Sequence, residues 1–306
     1  MSDPRIVSLI ASSTETICAL GFEDQLVGRS HECDYPPSVL TLPACSEAKF
    51  DLNGSSLEID ERVKATLQNA ISVYTVFENE LERLSPTHII TQDQCEVCAV
   101  SFKDVEAAVK QLISSSPEIV SLSPNSLQDI YQGILEIADS LGALTKGSEL
   151  VSHMQSRLKQ IERLTSNCTA KPKVVCVEWI EPLMAAGNWV PDLVQMAGGE
   201  DLLGIPNEHT PKIEFTKLLE ADPDKIIVMP CGWDIAKNRL EMDQALKSPE
   251  WQSLRAIQSG ECYITDGNQY FNRPGPRIVE SAEILAEIFH PDLAHFGHAG
   301  SGWVKY

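Results

Sequence analysis

The feature that most constrains this chain is the stretch from Leu127 to Thr165, which keeps helical periodicity throughout and shows no strand pattern. Ile130, Ile134, Ile137 and Leu141, then Leu150, Met154, Leu158 and Ile161, recur at turn spacing and mark apolar helix faces, with an interruption expected near Gly147. A helix of twenty residues already spans about 30 Å, the diameter of a small domain. A segment of this length therefore joins parts of a molecule instead of sitting inside one small layer.

On both sides of it, short β-rich runs alternate with helical pattern. Arg5–Leu9, Leu26–Gly28, His88–Thr91 and Glu118–Leu122 precede it; Lys173–Trp179, Lys225–Met229 and Cys262–Thr265 follow, with a last helix over Pro276–Phe289. Such alternation implies mainly parallel sheets. The expected fold is α/β, with two α/β lobes joined by a single long helix: an N-terminal lobe over residues 1–125, a connecting backbone helix over 126–170, and a C-terminal lobe with a tail over 171–306. Ser12 and Glu15 have the spacing of a capping box, and Gly21 is placed to stop that first helix. Ser101 and Asp104 can cap a helix carrying Val105, Val109 and Leu112, and the segment Ser46–Ser56 reads as loop.

A formal net charge of −20, spread along the chain, repels phosphate and argues against nucleic acid or an anionic membrane surface as partner. No apolar run reaches the roughly eighteen residues that a membrane-spanning helix needs. Cysteines number nine, an odd count that argues against a disulfide framework, and Met1 to Arg5 shows no basic export segment before the apolar run Ile6–Ile10. Those two signs make a reducing, cytoplasmic location the expectation.

The motifs cluster at predicted strand ends, where ligands bind in open α/β sheets. The N-terminal half carries Gly28-Arg29-Ser30-His31-Glu32-Cys33-Asp34-Tyr35-Pro36 and Thr91-Gln92-Asp93-Gln94-Cys95-Glu96-Val97-Cys98. The C-terminal half carries Glu178-Trp179-Ile180-Glu181-Pro182 through Trp189-Val190-Pro191, Met229-Pro230-Cys231-Gly232-Trp233, and Asp266-Gly267-Asn268-Gln269-Tyr270-Phe271-Asn272-Arg273-Pro274-Gly275. In this order, from Arg5 to about Pro291, they resemble the helical-backbone substrate-binding proteins of ABC importers, the cobalamin and iron-chelate branch in particular.

The resemblance implies a periplasmic-binding-protein-like, Venus-flytrap fold with little hinge motion, holding a large planar chelate such as cobalamin (vitamin B12) or a related tetrapyrrole between its lobes. Carried over by motif, the contacts are Tyr35, the segment from Trp179 to Trp189, and Tyr270, Phe271, Asn272 and Arg273, with Asp93 at its own strand end. Aromatic rings suit a flat ligand because each offers a large face at low entropic cost, although aromatic side chains also fill cores. Arg273 fits two roles, bonding the ligand's polar edge or bracing its own loop. The resemblance also implies an exposed glutamate on each lobe for the importer; on the second lobe that position falls near Thr216, with Glu214 close by.

Cys95 and Cys98 have metal or redox spacing but lack the second pair of a zinc site. With His31, Asp93, Cys33 and Cys231 they allow a soft-metal site, and His31 alone suits an axial ligand to cobalt or haem iron or an ordinary hydrogen-bonded loop histidine. His209, His290, His295 and His298 are assigned no role. No nucleophile elbow, phosphate loop, Rossmann fingerprint or HExxH helix is present. The expected function is thus non-enzymatic chelate binding with no cofactor required, as a carrier or an importer-linked receptor. The alternative is a cytoplasmic enzyme with a Cys/Asp metal or redox site in the same cleft.

Overall fold

The computed structural model describes residues 3–69, 73–93, 116–168 and 170–306. The helix expected over Ser101–Leu112 lies outside them. The chain divides into two compact units, one of Met1–Gly54, Glu58–Pro124 and Gln128–His153, the other of Ser55–Leu57, Asn125–Leu127 and Met154–Tyr306.

In the first unit, β1 (Ile6–Ser8), β2 (Leu26–Arg29), β5 (His88–Gln92) and β6 (Glu118–Leu122) form a parallel sheet in the order β2-β1-β5-β6. β3 (Ser46–Ala48) and β4 (Tyr74–Val76) pair antiparallel as a separate ribbon. Parallel strands are covered on both faces, and this is visible residue by residue. Val7 and Ile89 enter one apolar cluster with Leu81 and Leu84, while their neighbours Ile6 and Ile90 enter another with Ile17 and Ile137. The strand order reverses between β1 and β5, the kind of point at which open sheets hold ligands beyond the strand ends.

The helix Ala11–Ala19 starts on Ile10 without a side-chain cap, so the capping box expected at Ser12 and Glu15 does not form. The hydroxyls turn inward instead. Ser13 donates to the Ile10 carbonyl at 3.0 Å and lies 2.7 Å from the Ser8 hydroxyl, while Thr14 donates to Cys33 Sγ at 3.0 Å. Close packing of this helix against β1 and the Cys33 turn outweighs the cap.

The long helical stretch resolves into Leu127–Ser140 and Leu144–Thr165. The break falls at Gly142, whose positive φ of 65° ends the first helix, and not at Gly147. Gly147 lies inside the second helix, where an added Cβ would come within 2.5 Å of Ala138 Cβ; there glycine permits a close approach instead of a stop. The 22-residue second helix contains the boundary between the units, at His153 and Met154.

The second unit is built on β7 (Lys173–Trp179), β8 (Met184–Ala185), β9 (Glu200–Asp201), β10 (Lys225–Val228), β11 (Cys262–Thr265) and β12 (Trp303–Lys305). Their order is β12-β11-β10-β7-β8, with β9 against the start of β7. β7, β10 and β11 run parallel, with Val175, Ile226 and Cys262 in register. Val175, Val177, Ile226, Val228 and Ile264 pack with Leu218, Met242, Trp251 and Leu254 into a single core. The tail closes the sheet as an antiparallel edge strand, Ile264 facing Val304. No helix among the described residues is long and apolar enough to cross a membrane.

Candidate functional site

The carboxyl ends of β7, β10 and β11 bring three loops of the second unit together. β7 ends in Trp179, which is half-buried; its ring lies 5.0 Å from that of Trp233 at a 45° tilt. The Trp179 indole donates to the Ser56 carbonyl at 3.1 Å, and the Ser56 hydroxyl donates to Glu241 at 2.6 Å while accepting from the Glu181 N–H. Lys237 sets its ammonium 4.8 Å from the Trp233 ring centre, a cation–π distance. Asn238 fixes the base of this loop, donating to the carbonyls of Trp233 at 3.2 Å and Thr265 at 3.0 Å.

The loop after β11 is knitted by its own backbone. The Asp266 carboxylate accepts from the N–H groups of Asn268 and Gln269 at 3.0 and 2.8 Å, and burial pushes its pKa above the ordinary value. Gly267 is required: a Cβ there would meet the carbonyl oxygens of Pro230 at 2.2 Å and Met229 at 2.7 Å. Asn272 donates to the carbonyls of Met229 and Gly267, tying this loop to the one after β10.

The expected site residues of this unit therefore divide. Trp189 is buried and its indole donates to the Phe271 carbonyl at 2.7 Å. Phe271 is fully buried at φ 62°, its N–H held by the Ser281 hydroxyl. Both act as struts beneath the loop. Arg273 is 7% exposed and donates to Asn268 Oδ1 at 3.0 Å, which is the bracing role. Trp179 and Tyr270 remain half-buried with ring surface to offer. Trp233 was named in the sequence only as the end of its strand-end motif, without a contact role, and Ser56 and Asn238 were not singled out; neither lies in a motif.

In the first unit, Tyr35 follows β2 and is 40% exposed. Asp93 is exposed at the end of β5 and its N–H bonds to the Leu122 carbonyl at 2.8 Å. His31 places Nδ1 3.0 Å from the Ser46 hydroxyl and its ring 5.3 Å from Tyr74. Burial, helped by the Arg29 charge, lowers its pKa below the ordinary 6.5. Cys33 is fully buried on the Thr14 hydroxyl, and burial raises its thiol to about 11; it packs as a core thiol.

Among the described residues no three His, Cys, Asp or Glu side chains gather as a metal site, and none of the seven described cysteines is disulfide-bonded. Cys95 and Cys98 lie outside the described residues. In the second unit, Glu214 and Thr216 are both exposed at the start of the helix Phe215–Ala221.

The chain belongs to the periplasmic binding protein family, which it matches over residues 6–268. It is a substrate-binding protein of the helical-backbone kind, with the two-lobed α/β fold of that class. A relative is the ABC transporter substrate-binding lipoprotein YvrC of Bacillus subtilis, 22% identical over 94% of this chain and 80% of that one. Among solved structures, the periplasmic haem-binding protein RhuT of Roseiflexus has a TM-score of 0.69 at 21% identity, covering 96% of this chain and 100% of its own. The periplasmic vitamin B12-binding protein BtuF of Vibrio cholerae has a TM-score of 0.66 at 19% identity, covering 94% and 96%. These are binding proteins and not enzymes. They also correct the expected location: a lipoprotein and periplasmic proteins of one family overturn the cytoplasmic reading. Seven thiols are unpaired, four of them buried as small core residues, and core thiols of that kind do not report a compartment.

Proposed function

We propose that the protein binds a flat metal chelate, a corrinoid or haem-like tetrapyrrole, as the receptor of an ABC importer, with residues 126–170 as connecting backbone between lobes 1–125 and 171–306. The observation that carries this reading is the aromatic surface at the strand ends of the second unit: Trp179 against Trp233, with Tyr270 on the adjoining loop. Large ring faces offered beside backbone-knitted loops suit a ligand that is flat and apolar in its middle and polar at its edge. Haem and vitamin B12, the ligands named for RhuT and BtuF, are both of that kind. In the first unit, Tyr35 and Asp93 are the proposed contacts, and His31, whose Nε2 makes no hydrogen bond and lies 3.9 Å from Glu32 Oε1, is the proposed axial donor.

The test is a titration of the purified protein with hemin and hydroxocobalamin, followed by tryptophan quenching. Loss of one large aromatic contact costs about 1–3 kcal/mol, a five- to hundredfold weaker affinity. Trp179→Ala and Tyr270→Ala are expected to weaken binding by that factor while remaining folded. Wild-type affinity in both folded variants would remove these residues from the site.

A further inference from the structure

We propose that the C-terminal segment is a working part of the ligand site: His298, fixed by Glu283, positions the Tyr270 ring and so sets how firmly the second unit grips a flat ligand. The ligand in this inference rests on the proposed function; the positioning does not.

Tyr270 is held from two sides. The His298 ring packs against it in a T-shaped arrangement, with centroids 6.0 Å apart at 69°, and the Arg277 guanidinium lies 5.5 Å from its ring centre. Arg277 is itself anchored on Gln269 Oε1 at 2.8 Å. His298 in turn donates from Nε2 to Glu283 at 2.9 Å, and the other oxygen of Glu283 takes a forked pair of bonds from Arg157. The groups facing His298 are thus Glu283, Glu287 and Glu280 from the helix Ile278–Phe289, Arg157 from the helix Leu144–Thr165, and Tyr270 from the loop.

Packing alone does not ask for this arrangement. The helix Ile278–Phe289 is mainly apolar and almost wholly buried, yet beyond Glu280 and Ser281 in its first turn it carries Glu283 and Glu287 one turn apart. Buried carboxylates are costly unless hydrogen bonds satisfy them. Both are satisfied by the same short piece of tail. Glu287 accepts from the N–H groups of Phe296, Gly297 and His298 and from the Trp303 indole at 2.7 Å. The outcome is one imidazole, fixed at its backbone and at its ring, and packed against Tyr270. A protonated imidazole makes a charge-assisted bond to Glu283 and a cation–π contact to the phenol; the neutral ring makes weaker versions of both. Tyr270 is therefore held most firmly while His298 carries its proton, and the bond to Glu283 raises its pKa above the ordinary 6.5.

The experiment uses the full chain with 13C-labelled tyrosine rings, the Tyr270 resonance being assigned with Tyr270→Phe. In the ligand-free protein that resonance is expected to follow the His298 titration, and in His298→Gln it is expected to stay still between about pH 5.5 and 8.5, the span in which histidine changes charge. Hemin should bind the wild type about three- to tenfold more tightly, a fraction of one aromatic contact, at the acid end of that span than at the alkaline end, relative to His298→Gln. If His298→Gln does not fold, Glu283→Gln reads the same coupling by moving the His298 midpoint down and carrying the Tyr270 response with it. A Tyr270 resonance indifferent to His298 would overturn the proposal. So would unchanged pH dependence of hemin affinity in the folded variant. If the wild type binds neither hemin nor hydroxocobalamin, the proposed function falls, and the Tyr270 resonance alone decides the positioning.

Discussion

Gly267 and Gly232 sit on neighbouring loops of the second unit and make opposite demands. Gly232 has a positive φ of 77° with open space around it, so an alanine there meets only backbone strain, about 1 kcal/mol. Gly267 leaves no room, because the three atoms an alanine would strike are all main-chain carbonyl atoms, of Pro230 and Met229. Gly267→Ala should cost about 1–3 kcal/mol or more in urea unfolding, as overpacking does, and should displace the loop that carries Tyr270. An alanine at Gly267 as mild as one at Gly232 would show that these loops are loosely apposed. Trp189→Phe makes a second residue-scale case: it keeps the ring and removes the indole donor, leaving the Phe271 carbonyl without that bond, and should lower stability by about 1–3 kcal/mol. The sequence assigned Trp189 and Phe271 to neighbouring motifs but could not separate strut from contact. The difference depends on where an indole N–H finds a carbonyl in a distant segment, which no local pattern encodes.

At the scale of elements, strands that pair with buried neighbours on both sides were readable as apolar runs, as at Lys173–Trp179 and Lys225–Val228. Those that escaped notice were the three-residue pieces: β3, in the segment read as loop, its partner β4, and β12 in the tail. Three residues give too short a window for a period of two, and the edge position of β12 removes the apolar run as well. The tail's anchoring on Glu283 and Glu287 is the other element-scale feature, and it has a pH signature. Burial alone would raise the Glu283 carboxyl, but the bonds from His298 and Arg157 hold it below its ordinary 4.5. Glu283 therefore contributes stability that is present above 4.5 and lost as pH falls through its folded value. His298, raised by Glu283, contributes stability that is complete below 6.5 and lost as pH rises through its folded value. The pair should stabilise the protein most between those two ordinary values, and Glu283→Gln should remove that maximum when unfolding is followed across pH. Parallel pH profiles of wild type and variant would contradict this assignment.

For the molecule as a whole, the α/β alternation around one long helical stretch made the fold class legible and the ordered motifs carried the resemblance to the family, whereas the cellular location was not to be read from cysteine count. A receptor needs only to bind, so its function should appear as linkage: a ligand at a hundred times its Kd stabilises the folded state by about 2.7 kcal/mol, which a thermal melt resolves. The most direct test of the central claim is therefore one titration, hemin and hydroxocobalamin added separately to the purified protein, with absorbance, tryptophan fluorescence and melting temperature read on the same samples. The account expects at least one chelate to bind saturably, quench the tryptophans and raise the melting temperature, with Trp179→Ala weakening all three responses together. Saturating concentrations of both chelates that leave the melt and the fluorescence of the wild type unchanged would contradict it.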